Sequence, residues 1–329
     1  LMDADGDGAL AVTIDPDGNI TLGATGDADA ITSDSSGASA ITFTVTDATD
    51  SGDTLTIAGD IEIGDTDNDD TMVFNVTDSN ILIQNDVVAG AAANTIAFNL
   101  GSGGNVTMTV DNDQNEEQGI AATIDGNATN TVTLAITDTV ASAQLQIFSQ
   151  AIGATTALDA ININPTDDET AEVKFQAAVS ATAITLGDAT DAADDDTTVT
   201  FEAQAADFAV TGTIDNAVAA DETAIHVIDV TAGAAPDTVT FASNIGATIA
   251  VDAITVGSAT TGGDAIFSGN VTATAFSVLG GNHASEDNKA DIDGNLTAAV
   301  TLNASTGDAT LTFTGTAAQE MTGAIIAAS

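Results

Sequence analysis

The chain of 329 residues contains no cysteine, tryptophan, tyrosine or arginine, and only three prolines. Without cysteine there are no disulfides and no thiolate metal sites. Without tryptophan and tyrosine there is neither the core tryptophan nor the tyrosine corner of an immunoglobulin-type sandwich. The aromatic platforms on which sugar sites are commonly built are also absent. Positive charge is nearly missing: Lys174 and Lys289 stand against 50 acidic residues, for a net charge of −48. Such a chain repels DNA, RNA and anionic lipid, which excludes nucleic-acid partners. No apolar run approaches the roughly eighteen residues of a membrane-spanning helix, so no membrane span is expected. The chain begins at Leu1 and shows no signal peptide, as a processed or partly observed product would.

Catalytic signatures are missing too. There is no Ser-His-Asp order, no phosphate-cradling glycine loop and no paired-acid pocket with aromatic walls. His226 lies in the alternating segment AIHVIDV and His283 in a polar loop. A lone histidine in a strand is most often simply packed or exposed. No enzymatic activity is expected.

What the chain has is alternation. Segments such as Thr54–Ile57, Met72–Val76, Thr95–Leu100 and Ala309–Phe313 place an apolar residue at every second position, the period of a strand with one buried face. Threonine and valine, branched at Cβ, suit a pleated surface. Turn residues recur about every ten positions, which predicts an all-β protein. The loop 23–37 is small and polar, and the tail 317–329 fits a strand, a short helix or a connector.

Two kinds of repetition run through the chain. The phrase apolar–polar–apolar–Gly appears at Ile20–Gly23, Ile61–Gly64, Phe98–Gly101, Ile184–Gly187 and Ile254–Gly257. It describes a short strand ended by a glycine corner. A longer match joins Phe148, Ile152-Gly153-Ala154-Thr155 and Leu158–Ile161 to Phe241, Ile245-Gly246-Ala247-Thr248 and Val251–Ile254, and then Val179–Ile184 to Val271–Phe276. Residues 145–187 and 239–280 are therefore expected to be copies of one unit, and a repeating chain usually stacks. Polar breaks at 111–118 and around Pro236 divide it into an N-terminal β region, 1–118, a central one, 119–236, and a C-terminal one, 237–329. The fold expected is all-β, a β-solenoid-like stack of short strands. The alternative is tandem β-sandwich domains.

Of the acids, 41 are aspartate, a loop residue rather than a strand residue. Asp3, Asp5 and Asp7, with Gly8 following, alternate as carboxylates do at the start of a calcium loop. The twelfth position is Ile14 rather than glutamate, so this is no EF-hand. Asp65, Asp67 and Asp69 repeat the alternation, and Asp194–Asp196 and Asp291/Asp293 form smaller clusters. Calcium is the expected cofactor, with Asp3, Asp5, Asp7, Asp65, Asp67 and Asp69 as candidate ligands. Asn-x-Ser/Thr triplets occur at Asn19, Asn75, Asn105, Asn127, Asn270, Asn295 and Asn303.

In composition and pattern most of the chain resembles the repetitive Thr/Ala/Asp-rich regions of bacterial and archaeal S-layer proteins. The phrase Phe267-Ser-Gly-Asn-Val-Thr-Ala-Thr-Ala-Phe276 is similar to repeats of phage tail fibres and large adhesins. The resemblance implies a secreted structural protein, extracellular or at the cell surface. It would self-assemble with identical subunits into a layer or filament, with an adhesin or fibre segment, binding for instance a cell-surface glycan, as the alternative. It carries no functional residue across.

Overall fold

In the strand Thr71–Val76, Met72, Phe74 and Val76 are fully buried while Thr71, Val73 and Asn75 keep some exposure. That pattern repeats in strand after strand and builds the fold. The structure, a computed structural model, describes residues 9–15, 18–24, 29–33, 39–46, 52–64, 70–112, 116–138, 144–163, 170–187, 197–204, 206–218, 223–229, 237–258, 261–280, 288–304 and 307–328. The described residues are strands, bridges, turns and bends, with no helix. They form two compact units, 1–162 and 163–329.

In the first unit, every third strand pairs with its predecessor, always in parallel. Ala9–Ile14, Ala40–Val45, Thr71–Val76, Thr95–Leu100 and Ala122–Asp125 make one face. Ile20–Leu22, Thr54–Ile57, Asn80–Ile83, Val106–Asn112 and Val132–Asp138 make a second. Ile31–Ser33, Ile61–Ile63, Val87–Val88, Gln118–Ile120 and Leu145–Phe148 make a third. Each coil thus passes through three faces before returning to the first. Parallel pairing needs a long crossover, and here the crossover is the other two faces of the coil.

The second unit follows the same rule with its corners drawn together. Val179–Leu186 and Val271–Leu279 each run through a register shift, after Ser180 and Thr272 respectively, so that one strand covers two faces. Ladders join Thr238–Phe241, Asp264–Phe267, Asn288–Ile292 and Ala309–Phe313. Others join Thr223–Asp229, Val251–Val256, Val271–Leu279 and Leu296–Asn303, the last of which pairs with Met321–Thr322 and Ile325–Ala328. Each unit is a β-solenoid.

Like stacks on like inside the coils. The rings of Phe43 and Phe74 lie 4.7 Å apart at an interplanar angle of 9°, and those of Phe74 and Phe98 lie 4.8 Å apart at 16°. Phe241 and Phe267 stack at 5.0 Å. In-register parallel strands are spaced by about that distance, so phenylalanines that are register partners, as Phe43, Phe74 and Phe98 or Phe241 and Phe267 are, fall directly on one another.

The solenoid-like stack of short strands expected from the sequence is the fold observed, its alternative is excluded, and one expected loop is corrected. Tandem sandwiches are excluded, because every strand pair described is parallel whereas sandwiches are antiparallel. The segment 23–37, expected as a loop, contains the strand Ile31–Ser33, with Ile31 and Ser33 buried. The tail forms strands at Met321–Thr322 and Ile325–Ala328. Four of the five glycine corners, Gly23, Gly101, Gly187 and Gly257, have φ between 79° and 81°, the left-handed region open to glycine.

The two long copies share their local structure. In both, a four-residue strand is followed by a single bridging isoleucine, Ile152 or Ile245, and a glycine at φ 67° or 66°. Gly153 N–H donates to the Ile124 carbonyl and Gly246 N–H to that of Ile214, both at 2.7 Å. Their register partners are not a fixed distance away in sequence. Ala40 pairs with Thr71 but Thr71 pairs with Thr95, so coil length varies. The offset of about 93 spans several coils.

Candidate functional site

The candidate calcium ligands Asp3, Asp5, Asp7, Asp65, Asp67 and Asp69 lie outside the described residues, as do Asp194–Asp196 and His283. His226 belongs to the strand Thr223–Asp229, in register between Thr200 and Thr255. Among the described residues no group of three or more His, Cys, Asp and Glu side chains is arranged to hold a metal ion.

The aspartates that are described have a shared task. Asp125 Oδ1 accepts the N–H groups of Thr155 and Thr156 at 2.8 and 3.3 Å, and Asp215 Oδ1 accepts those of Thr248 and Ile249 at 2.7 and 3.3 Å. Asp53, Asp86 and Asp207 likewise receive the N–H groups of Gly18, Gly119 and Thr238. Each carboxylate reaches across to a neighbouring coil and accepts a backbone N–H there, at a corner for Gly18, Thr155 and Thr248, at a strand start for Thr238 and within a short strand for Gly119. Asparagine does the same work. Asn270 N–H donates to Asn244 Oδ1, Asn295 N–H to Asn270 Oδ1 and Glu320 N–H to Asn295 Oδ1, at 2.8 to 2.9 Å. Asn19 and Asn105 serve Thr54 and Thr131. These four sequon asparagines, 19, 105, 270 and 295, are therefore corner acceptors. The threonine two places on in each follows from strand alternation, since it points the same way as the asparagine.

Both lysines are paired. Lys174 Nζ lies 2.9 Å from Glu202 Oε2. Gln176 and Gln204 donate to Glu202 Oε1 at 2.7 and 2.9 Å. Burial pushes the Glu202 carboxyl up, but the hydrogen bonds from Gln204, Lys174 and Gln176, with the lysine charge, outweigh it and hold the group below the usual carboxylate range. A carboxyl depressed in the folded state contributes stability above its unfolded pKa, and loses it as pH falls through the folded pKa. Glu202→Gln is therefore expected to cost roughly 1.5–3 kcal/mol at pH 7, the range for hydrogen bonds to a charged group. The gap between the melting temperatures of wild type and variant should close as pH falls from 6 to 3. A gap that stays constant with pH would show that the Glu202 charge is not what stabilises.

Lys289 sits between two acids. Its Nζ lies 2.6 Å from Asp291 Oδ2, and Asp264 is its register partner on the adjacent strand. The Asp291 hydrogen bond raises the Lys289 pKa, partial burial opposes this, and the charges of Asp291 and Asp264 add to the rise. With Thr238, Ala265 and Ile266 these groups line a recess of about 150 Å³. A lysine held protonated is a poor nucleophile, and no second reactive group faces it in this recess. The acids Asp291 and Asp293, grouped in sequence as a possible site, are used separately: Asp291 by Lys289, and Asp293 as acceptor for the Thr314 hydroxyl. Other recesses, at Asp293–Ala317 and around Asn94–Thr123, measure about 250 and 90 Å³. These three are each smaller than a typical small-molecule site, roughly 300–1,000 Å³.

Comparison with protein families, with curated proteins and with solved structures gives no match. No helix among the described residues is long and apolar enough to cross a membrane.

Proposed function

We propose that the chain is an extracellular structural protein that self-assembles with identical subunits into a cell-surface layer or filament, stabilised by calcium, and that it catalyses no reaction. The observation that carries this reading is the use made of aspartate. Asparagine at 19, 105, 244, 270 and 295 serves backbone N–H groups as well as aspartate does at 53, 86, 125, 207 and 215. The hydrogen bond does not require the charge. The abundance of aspartate, 41 residues in all, exceeds what these bonds require and suits a medium rich in cations that screen or coordinate carboxylates. The described residues support the reading: ladders of like residues, three small recesses, and both lysines paired with acids.

Calcium bound only to the folded or assembled form stabilises it by about 2.7 kcal/mol at a hundredfold excess over the dissociation constant. A chelator is expected to lower the melting temperature or dissolve the assembly seen by electron microscopy. Calcium should restore both where sodium at matched ionic strength does not. Asp3→Ala with Asp5→Ala, and Asp65→Ala with Asp67→Ala, should each weaken the response. If sodium and calcium act alike, the carboxylates are only a solvated surface.

A further inference from the structure

Asp70 is a carboxylate sealed inside the first unit with one oxygen unused. The residue is 1% exposed. Its Oδ1 accepts the N–H of Ser39 at 2.6 Å, and its own N–H donates to Asn94 Oδ1 at 3.2 Å. Its Oδ2 is buried and has no hydrogen-bond partner, and the same holds for Ser39 Oγ, on a residue 4% exposed. The two oxygens belong to one column. Ser39, Asp70 and Asn94 stand one place before Ala40, Thr71 and Thr95, which are register partners. The column is fixed along its backbone: Thr71 N–H donates to the Ser39 carbonyl and Thr95 N–H to that of Asp70, both at 2.9 Å.

A charge sealed from water is costly unless an opposite charge or a full set of hydrogen bonds meets it. The first unit has no opposite charge to offer. No Lys, Arg or His precedes Lys174 in the sequence, and both lysines are paired with acids of the second unit. The hydrogen bond to the neighbouring coil does not explain the charge, since Asn94 accepts the Asp70 N–H through a neutral amide. The short bond from Ser39 N–H is of the kind an ionised carboxylate makes. We infer that Asp70 Oδ2 and Ser39 Oγ anchor a bound calcium ion at this corner. This rests on the calcium reading above and gives it a site within the described residues. Carboxylate and hydroxyl are hard oxygen donors, the class that calcium takes, whereas softer metals favour nitrogen and sulfur. Calcium gathers about six to eight oxygens, water among them, so one carboxylate can anchor a site without a cluster of acids. In sequence Asp70 also closes the run that holds Asp65, Asp67 and Asp69.

Hydrogen exchange and thermal unfolding of the whole chain, with calcium chloride as the probe, test the assignment. At a hundredfold excess of calcium over its dissociation constant, the amides of Ser39, Thr71 and Thr95 should gain about a hundredfold in protection where opening releases the ion. Sodium at matched ionic strength should not produce this gain. Asp70→Asn is expected to fold, since an amide already occupies the column at Asn94, and to abolish the gain. Its melting temperature should lie below that of the wild type in calcium, and at or above it in chelator, because the variant removes both the ligand and the unneutralised charge. Ser39→Ala keeps the carboxylate and should raise the calcium dissociation constant severalfold, with little change in chelator; it decides the matter if Asp70→Asn does not fold. An unchanged dissociation constant in Ser39→Ala would overturn the shared anchor. A gain that survives Asp70→Asn would place calcium elsewhere and overturn the assignment, while the calcium reading stands. An Asp70→Asn chain more stable than the wild type in calcium and chelator alike would put a proton rather than a cation on Asp70, and sodium matching calcium would remove the selectivity; either overturns the site. A wild type indifferent to calcium in both measurements would overturn the site and the calcium reading together.

Discussion

Replacing Phe74 with alanine is expected to destabilise the first unit by about 3–5 kcal/mol, the range for removing a buried phenylalanine. Phe74 is 0% exposed and is the middle ring of three, at 4.7 Å from Phe43 and 4.8 Å from Phe98. Its removal takes contact from both neighbours at once and leaves a gap inside a narrow core. The strand above and the strand below are held in register by their own ladders, so the coils cannot close on the gap without breaking hydrogen bonds. Poor collapse puts the cost at the upper part of the range. Val73→Ala, on the outward side of the same strand, serves as the control and should cost under about 1 kcal/mol, as surface changes do. Denaturant unfolding followed by circular dichroism measures both. Hydrogen exchange should show the loss of protection centred on residues 40–45, 71–76 and 95–100. Equal costs for the two variants would mean that the phenylalanine stack does not hold the coils together.

The strands themselves were open to inspection in the sequence. Thr54–Ile57, Thr95–Leu100 and Ala309–Phe313 have the bounds that alternation predicts, because each is long enough to show the period. Ile31–Ser33 and Val87–Val88 are too short to show it. The corner glycines were legible for a different reason: the phrase that ends in Gly23, Gly101, Gly187 or Gly257 marks a left-handed backbone that few other residues accept. Gly64 closes the same phrase without adopting that conformation, so the phrase alone does not fix it.

Pairing was far less legible. Coil length changes from one turn to the next, so no constant spacing reveals that Ala40 meets Thr71 or that Thr71 meets Thr95. The same variability hides the polar contacts. Lys174 and Glu202 are far apart in sequence and come within 2.9 Å only because one coil separates Phe175 from its partner Phe201. The role of Asp125 and Asp215 was hidden likewise. In sequence they are two more loop acids; in the structure each clamps two N–H groups of the following corner. The copies show that this clamp is a reused part, since Ile124-Asp125 stands to Gly153 as Ile214-Asp215 stands to Gly246.

That reused corner makes the second large expectation specific. Gly246→Ala should destabilise the second unit by about 3 kcal/mol or more, beyond the roughly 1–2 kcal/mol that a left-handed backbone alone costs a residue with a Cβ. Gly246 has φ 66°, and a Cβ there would stand 2.1 Å from the carbonyl oxygen of Thr272 on the next coil. Neither partner can retreat. Gly246 N–H is bound to the Ile214 carbonyl at 2.7 Å, Thr272 N–H is bound to the Ile245 carbonyl at 2.9 Å, and Asp215 holds the two N–H groups just beyond. The added methyl must therefore break a bond to the coil before or to the coil after. Gly18 separates the two contributions. Its φ is 105°, but a Cβ there meets nothing within 4 Å, so Gly18→Ala reports backbone strain without the clash. The Gly246 variant is expected to lose markedly more stability in thermal and denaturant unfolding than the Gly18 variant, and to lose hydrogen-exchange protection at Ile214, Ile245 and Thr272 together. If the two glycine variants are equally stable, the corners are looser than their hydrogen bonds imply, and the close approach of successive coils is not what keeps glycine at this position.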